Sequence, residues 1–209
     1  MLKTKRVVRF FCLLALFYGL LDAPWPGLQE RYSAAYRAAG NYLFGSFGSD
    51  GVVRFQPRPS GQVRVDTDVI LARRDSNMGR AVTQTPRRLG YLPTAEVIAL
   101  IVATPIPWAR RCWALLWGLI LVHAFIVLRM AITLLHHFEG DVPCSLYELS
   151  PFWSETLYGA YEIIVRSPDP SFLVPVFIWA VVSFRRNDWE ALVRGWGRRR
   201  PFRRRQLNE

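Results

Sequence analysis

Cysteine is scarce in this chain of 209 residues: Cys12, Cys112 and Cys144 are too few and too scattered for a disulfide framework. Cys12 and Cys112 lie within or beside apolar runs, where a thiol behaves as a small hydrophobe. Cys144 lies in a polar loop, so no intramolecular bridge is expected. The sequence has three histidines and no metal-ligand spacing, so neither a metal nor a cofactor is expected. Acidic residues are also few, 16 Asp and Glu against 27 Lys and Arg, which leaves a net charge of +11. No internal repeat is visible.

What the chain does have is apolar sequence. Hydrophobic residues make up 51% of it and eight are Trp, a content that a soluble domain rarely combines with so basic a balance. The arginines flank apolar blocks, the usual pattern of inner-membrane proteins. A nucleic-acid-binding protein shares the charge but not that partition, so nucleic acid is not an expected partner.

Residues 1–21 read as an N-terminal membrane anchor. Lys3, Lys5, Arg6 and Arg9 precede the uncharged run Phe10–Leu21. A signal peptide has a similar start, but Leu21 stands where a cleavage site after Ala23 needs a small residue, Pro24 follows that site, and Cys12 lacks a lipobox. Residues 22–90 read as a small extracytoplasmic α+β element. Leu28, Tyr32, Ala35, Tyr36, Ala39 and Leu43 recur at helical spacing. Val52–Phe55 and Gln62–Ala72 then form a hairpin across Pro57–Gly61, with Val63, Val65, Thr67, Val69 and Leu71 on one face and Arg64, Asp66 and Asp68 on the other. Asp75–Arg88 reads as a linker.

Residues 91–135 read as a transmembrane hairpin of two segments, Leu92–Trp108 and Cys112–Leu135, turning at Arg110-Arg111. Thr104-Pro105-Ile106-Pro107 cannot continue a regular helix. Residues 136–171 form an outer loop with a helix from Ser154 to Arg166, capped by Ser154. Residues 172–184 are the last apolar segment, and 185–209 a basic cytoplasmic tail. The expected fold is therefore mainly α: a multi-pass helical inner-membrane protein of about four transmembrane helices, with both termini cytoplasmic and a small outer α+β element. The ten arginines of 22–90 oppose that orientation, but the segment exceeds the loop length over which the charge bias holds.

Ionisable residues inside apolar runs carry the chemistry to consider. Counted from the outer ends of their helices, Glu96 and Arg129 lie at depths of about 6 and 9 Å, close enough to expect a membrane ion pair. Arg129, Thr133 and His136 share one helical face, a set that could make an anion-binding or catalytic cleft. A structural ion pair, with Thr133 bonding between helices, is the simpler account, since nothing at this spacing supplies an obvious nucleophile. His123, mid-helix on another face, reads as a helix–helix hydrogen-bonding residue. The Arg-rich tail reads as a topology signal that also binds anionic lipid headgroups, at about 1 kcal/mol per charge.

The run Ala99-Leu100-Ile101-Val102-Ala103-Thr104-Pro105, the turn Trp108-Ala109-Arg110-Arg111 and the helix ending Leu128-Arg129-Met130 resemble the core of the exosortase/archaeosortase family. These are multi-pass transpeptidase-like enzymes that process sorting signals on exported proteins. The resemblance covers about 45 residues and its motifs are mostly hydrophobic. It implies that Arg129 matches the family's Arg and that His136 or His137 stands nearer to it than the family's His. The family's Cys has no counterpart, because Thr94-Ala95-Glu96 occupies that region. Without the thiolate the covalent chemistry is lost.

Two functions fit these residues. The first is a non-enzymatic envelope or export-associated component, whose partners are membrane lipids and other membrane or envelope proteins. The second is an exosortase-like processing protein centred on Arg129 and His136.

Overall fold

In the computed structural model, residues 2–23, 25–58, 66–75, 79–140 and 145–184 are described. The Arg-rich tail 185–209, Cys144, and Pro59–Val65 of the expected hairpin lie outside them. Six α-helices and a four-stranded sheet follow in the order α1 (Leu2–Asp22), α2 (Leu28–Phe44), β1 (Ser46–Phe47), β2 (Gly51–Pro57), β3 (Thr67–Arg73), β4 (Gly79–Gln84), α3 (Leu92–Ala103), α4 (Trp108–Phe138), α5 (Pro151–Ala160) and α6 (Pro170–Ser183). Single π-helical turns, Arg87–Tyr91 and Tyr161–Arg166, lead into α3 and out of α5.

The expected fold of four membrane spans is not found. Among the described residues one helix, α4, is long and apolar enough to cross a membrane; counting the bent pair Pro151–Arg166 and Pro170–Ser183 as one broken span gives two. Length explains the shortfall. α3 has 12 residues and α6 has 14, about 18 and 21 Å of rise against a hydrocarbon core of about 30 Å. α1 is longer, but Lys5, Arg6 and Arg9 lie within its first half.

The sheet is a plain antiparallel meander, β1-β2-β3-β4. Its period-2 pattern buries Val53 and Phe55 of β2 with Thr67, Val69 and Leu71 of β3. The register sets Val53 opposite Leu71 and Phe55 opposite Val69. β4 occupies the middle of the expected linker, Asp75–Arg88. Only Ala81 and Val82 are apolar in Gly79–Gln84, so the strand forms because β3 offers it an open edge, reinforced where Thr83 Oγ1 donates to Asp68 Oδ1 at 2.8 Å.

α2 lies on the inner face of this sheet, turned from the expected orientation. Ser33, Tyr36 and Gly40 are buried, whereas Leu28, Ala35, Ala39 and Leu43 are exposed. Two contacts fix that rotation. A Cβ on Gly40 would sit 2.8 Å from three carbons of the Phe55 ring, so only glycine lets the helix come this close. Asn41 receives the Phe55 N–H at 2.8 Å and donates to the Phe55 carbonyl at 3.1 Å, completing β2 where β1 has ended.

α4 joins the two halves of the molecule. Its 31 residues rise about 46 Å. The first half packs Ala114 and Val122 with Val97 and Ile101 of α3 and Ile178 of α6. The second half turns Ile126, Met130, Leu134 and Phe138 against the sheet and Tyr36. α3 packs against α1, α4 and α6, with Ala95, Ala99 and Ala103 buried at four-residue intervals that permit close approach. At one pole Phe10 of α1 stacks on Trp179 of α6, whose indole N–H donates to Thr104 Oγ1 at 2.7 Å, and Arg110 donates to the Ser183 carbonyl. At the other end of α1, Arg87 pairs with Asp22 at 2.8 Å.

The helix expected from Ser154 starts earlier, with Ser150 at its cap position and Pro151 in its first turn. It ends at the Ser167-Pro168-Asp169-Pro170 break, where the chain turns by 83° into α6.

Candidate functional site

Arg129 sits where α4 leaves the helix bundle for the sheet. It is 3% exposed. One terminal guanidinium nitrogen donates to Ser171 Oγ at 2.6 Å, at the start of α6, and the other to the Val165 carbonyl at 3.0 Å, at the end of the π-helical turn. The guanidinium thus pins the sharp break from both sides. The Val165 carbonyl is one of those that a helix end leaves without an internal partner, so this donation satisfies it. The Nε of Arg129 is buried and makes no hydrogen bond.

The expected ion pair with Glu96 is not made. A Cβ on Gly118 would meet Ile101 Cδ1 and Val97 Cγ1, and Ile126 Cδ1 lies 3.3 Å from the corresponding position on Gly90. These contacts set Gly90, and not Glu96, beside the last turn before Arg129. Counting depth from the helix ends failed because α4 runs on past α3 onto the sheet. Glu96 instead lies near Tyr18 of α1, with its Oε2 buried and without a hydrogen bond.

Arg129 and Thr133 line a cavity of about 710 Å³ between β4, the π-helical turn before α3, α4 and the α5–α6 break. Three arginines reach its wall, Arg88, Arg129 and Arg166, and no Asp or Glu does among the described residues. Arg166 is already paired with Glu162 at 2.7 Å and is largely exposed. Ser167, Ser171, Thr83 and Gln84 add hydroxyl and amide groups, and Leu89, Leu92, Val165 and Phe172 form an apolar side. Gln84 is held in place by Tyr36, whose hydroxyl donates to Oε1 at 2.7 Å. Burial raises the Tyr36 phenol well above its ordinary value of 10, so that donor keeps its proton.

His136 does not line the cavity. Its ring stacks on Tyr161, with centroids 4.1 Å apart, and Tyr161 forms part of the wall. Its Nδ1 and the Nε2 of His137 are buried without hydrogen bonds. The face Arg129–Thr133–His136 therefore divides. Its first two members meet the cavity and the third braces the wall from behind. Thr133 spends its hydroxyl proton on the Arg129 carbonyl at 2.8 Å. His123, exposed, bonds the Leu119 carbonyl of its own helix in place of another helix.

No protein-family model, curated protein or solved structure matches the chain. The site therefore stands on its own geometry. Cys112 is 17 residues from Arg129 on the same helix, about 25 Å away, and Cys12 lies on α1; both are free and exposed. Among the described residues no three His, Cys, Asp or Glu side chains come together to hold a metal ion. Chemically the cavity is a cationic, hydroxyl-rich recess with one apolar wall. Sequence reading placed Arg129 and Thr133 in one cleft but missed Ser171, Arg88, Arg166 and Gln84. The Ser-Pro-Asp-Pro-Ser run marks the break that delivers Ser171. Nothing in the sequence marks the other three.

Proposed function

We propose that this protein is a non-enzymatic component of a cell inner membrane that holds an anionic group in the Arg129 cavity. The observation that carries the reading is a buried guanidinium, on the wall of a large cavity, bonded among the described residues only to neutral partners. A buried charge without a counter-charge costs several kcal/mol, and an anion bound in the cavity offsets that cost. A helix carbonyl and a serine hydroxyl supply partial charge only. The positive N-terminal end of α6 lies beside the same guanidinium and offsets the negative end of the π-helical turn.

Membrane placement rests on α4 and on the apolar surface beside it. Trp113, Leu116, Trp117 and Ile120 of α4, Phe177 and Val181 of α6, and Phe11 and Leu16 of α1 are all exposed. A contiguous apolar face of this kind on a free surface marks contact with lipid or protein. Along α4 the charge-free stretch from Arg111 to Arg129 rises about 27 Å, close to the thickness of a hydrocarbon core. Lys5, Arg9, Arg110 and Arg111 gather at the pole away from the sheet, where α6 also ends. By the positive-inside bias that pole is cytoplasmic, with the sheet and cavity outside.

An exosortase-like enzyme is the weaker proposal. Arg129 stands at the outer end of its helix as that resemblance implies, but the described cysteines are far from it and His136 faces away from the cavity. Titration of the detergent-purified chain with inorganic pyrophosphate tests the preferred reading. It expects saturable, salt-sensitive binding that Arg129→Gln abolishes and Arg54→Gln, on the outer sheet face, leaves intact. Equal binding by both variants, or none by the wild type, would overturn it.

A further inference from the structure

We infer that the anion is the phosphate of a membrane amphiphile, whose headgroup enters the Arg129 cavity while its chain leaves over Phe172 into the bilayer. The inference rests on the anion-binding reading and adds the class of ligand. Three observations lead to it.

The first is size. At about 710 Å³ the cavity falls within the range that buries an organic molecule, roughly 300–1,000 Å³, and a bare phosphate would fill only a small fraction of it. The second is polarity. Arginines and hydroxyls face one side and Leu89, Leu92 and Phe172 the other, so a ligand that fills the space needs an anionic end and an apolar end. The third is position. Phe172 lines the cavity and is also 46% exposed, and the next residue, Leu173, is 56% exposed on the apolar surface of α6. The apolar wall of the cavity is thus continuous with the surface assigned to lipid. Arg129 stands where the charge-free stretch of α4 ends, the level at which headgroup phosphates lie. The Arg129 guanidinium charge on the wall, with the exposed Arg88 and Arg166 beside it, gives such a phosphate its charge-assisted contacts.

The test uses the full chain in detergent and a phosphatidic acid carrying a photoactivatable group on its acyl chain. Labelled peptides are mapped by mass spectrometry. The expected label falls on segments 82–92 and 165–173. It drops at least about tenfold in Arg129→Gln and in the double variant Arg88→Ala/Arg166→Ala, an affinity loss of one decade or more. The double variant changes only exposed side chains, so it keeps the test readable if Arg129→Gln does not fold. Dihexanoyl phosphatidic acid should displace the probe at concentrations at least about tenfold below inorganic phosphate, and dihexanoylglycerol should not displace it. If inorganic phosphate competes as well as the short lipid, the site takes a free anion; the lipid inference fails and the anion reading survives. If dihexanoylglycerol competes as well as the phosphatidic acid, the groove is merely apolar and both fail.

Discussion

Replacing Arg129 by Met separates a structural clamp from a binding group, because the two roles have opposite energetic signs in the empty protein. The substitution removes two hydrogen bonds from a charged donor, to Ser171 Oγ and the Val165 carbonyl, each worth about 1.5–3 kcal/mol. It also removes a guanidinium that is 3% exposed and has no carboxylate partner among the described residues, and relief of that desolvation returns several kcal/mol. Met fills a comparable volume, so no large cavity is added. The two effects nearly cancel, and the unliganded variant should lie within about 2 kcal/mol of the wild type. Ligand then distinguishes the proteins. Dihexanoyl phosphatidic acid at a hundred times its Kd stabilises the wild type by about 2.7 kcal/mol. At roughly 2–4 °C per kcal/mol for a chain of this size, Tm rises by about 5–11 °C. Thermal unfolding of both proteins in detergent, with and without the lipid, is the assay. Arg129→Met should show almost no rise. An equal rise in both proteins would refute the reasoning, and so would collapse of the unliganded variant by more than about 4 kcal/mol, which would make Arg129 a clamp alone.

Three further outcomes test the packing around the site. Asn41→Ala leaves the Phe55 N–H and carbonyl without their partners and should cost about 1–3 kcal/mol, with amide exchange at Phe55 accelerated; unchanged exchange would contradict the assigned role. Gly40→Ala gains up to about 1 kcal/mol of helix propensity but drives a methyl into the Phe55 ring, so denaturant unfolding should show a net loss of about 1–2 kcal/mol, and a net gain would refute the close approach. Burial raises the Tyr32 phenol to about 12 and the Tyr36 phenol further, while both titrate near 10 in the unfolded chain. Their contribution to stability is whole below pH 10 and is lost as pH rises through the folded values, by up to about 1.4 kcal/mol per pH unit for each phenol. Alkaline titration of unfolding should show that loss, reduced in Tyr36→Phe; stability that stays flat above pH 10 would contradict the burial.

The strongly periodic elements were legible in the sequence, and what failed was how they combine. Val69 and Leu71 alternate inward as their period requires, and Pro105 and Pro107 end α3 where their chemistry dictates. The apolar run of α4 was also plain, but hydropathy does not say what covers an apolar face. Ile126, Met130, Leu134 and Phe138 read as membrane residues, and their partners are the strands of a sheet. β4 was missed because a short polar edge strand carries little signal of its own and depends on its neighbour. α2 turned away from its most apolar face because Gly40 and Asn41 make specific contacts with Phe55 that an average over residue types does not register. At the site, Arg129 was legible as a charge in an apolar run. Its partners were not, because Ser171 and Val165 arrive from a break more than thirty residues away and no spacing rule links them.

The most direct test of the anion site is an experimental structure of the chain purified from membranes in mild detergent, at a resolution that resolves headgroup density. The expected result is tetrahedral density in the cavity against the Arg88, Arg129 and Arg166 wall, with an oxygen at about 2.7–2.9 Å from a guanidinium nitrogen and apolar density leaving past Phe172. A cavity filled only by water, or an Arg129 side chain paired with the Glu96 carboxylate, would contradict it.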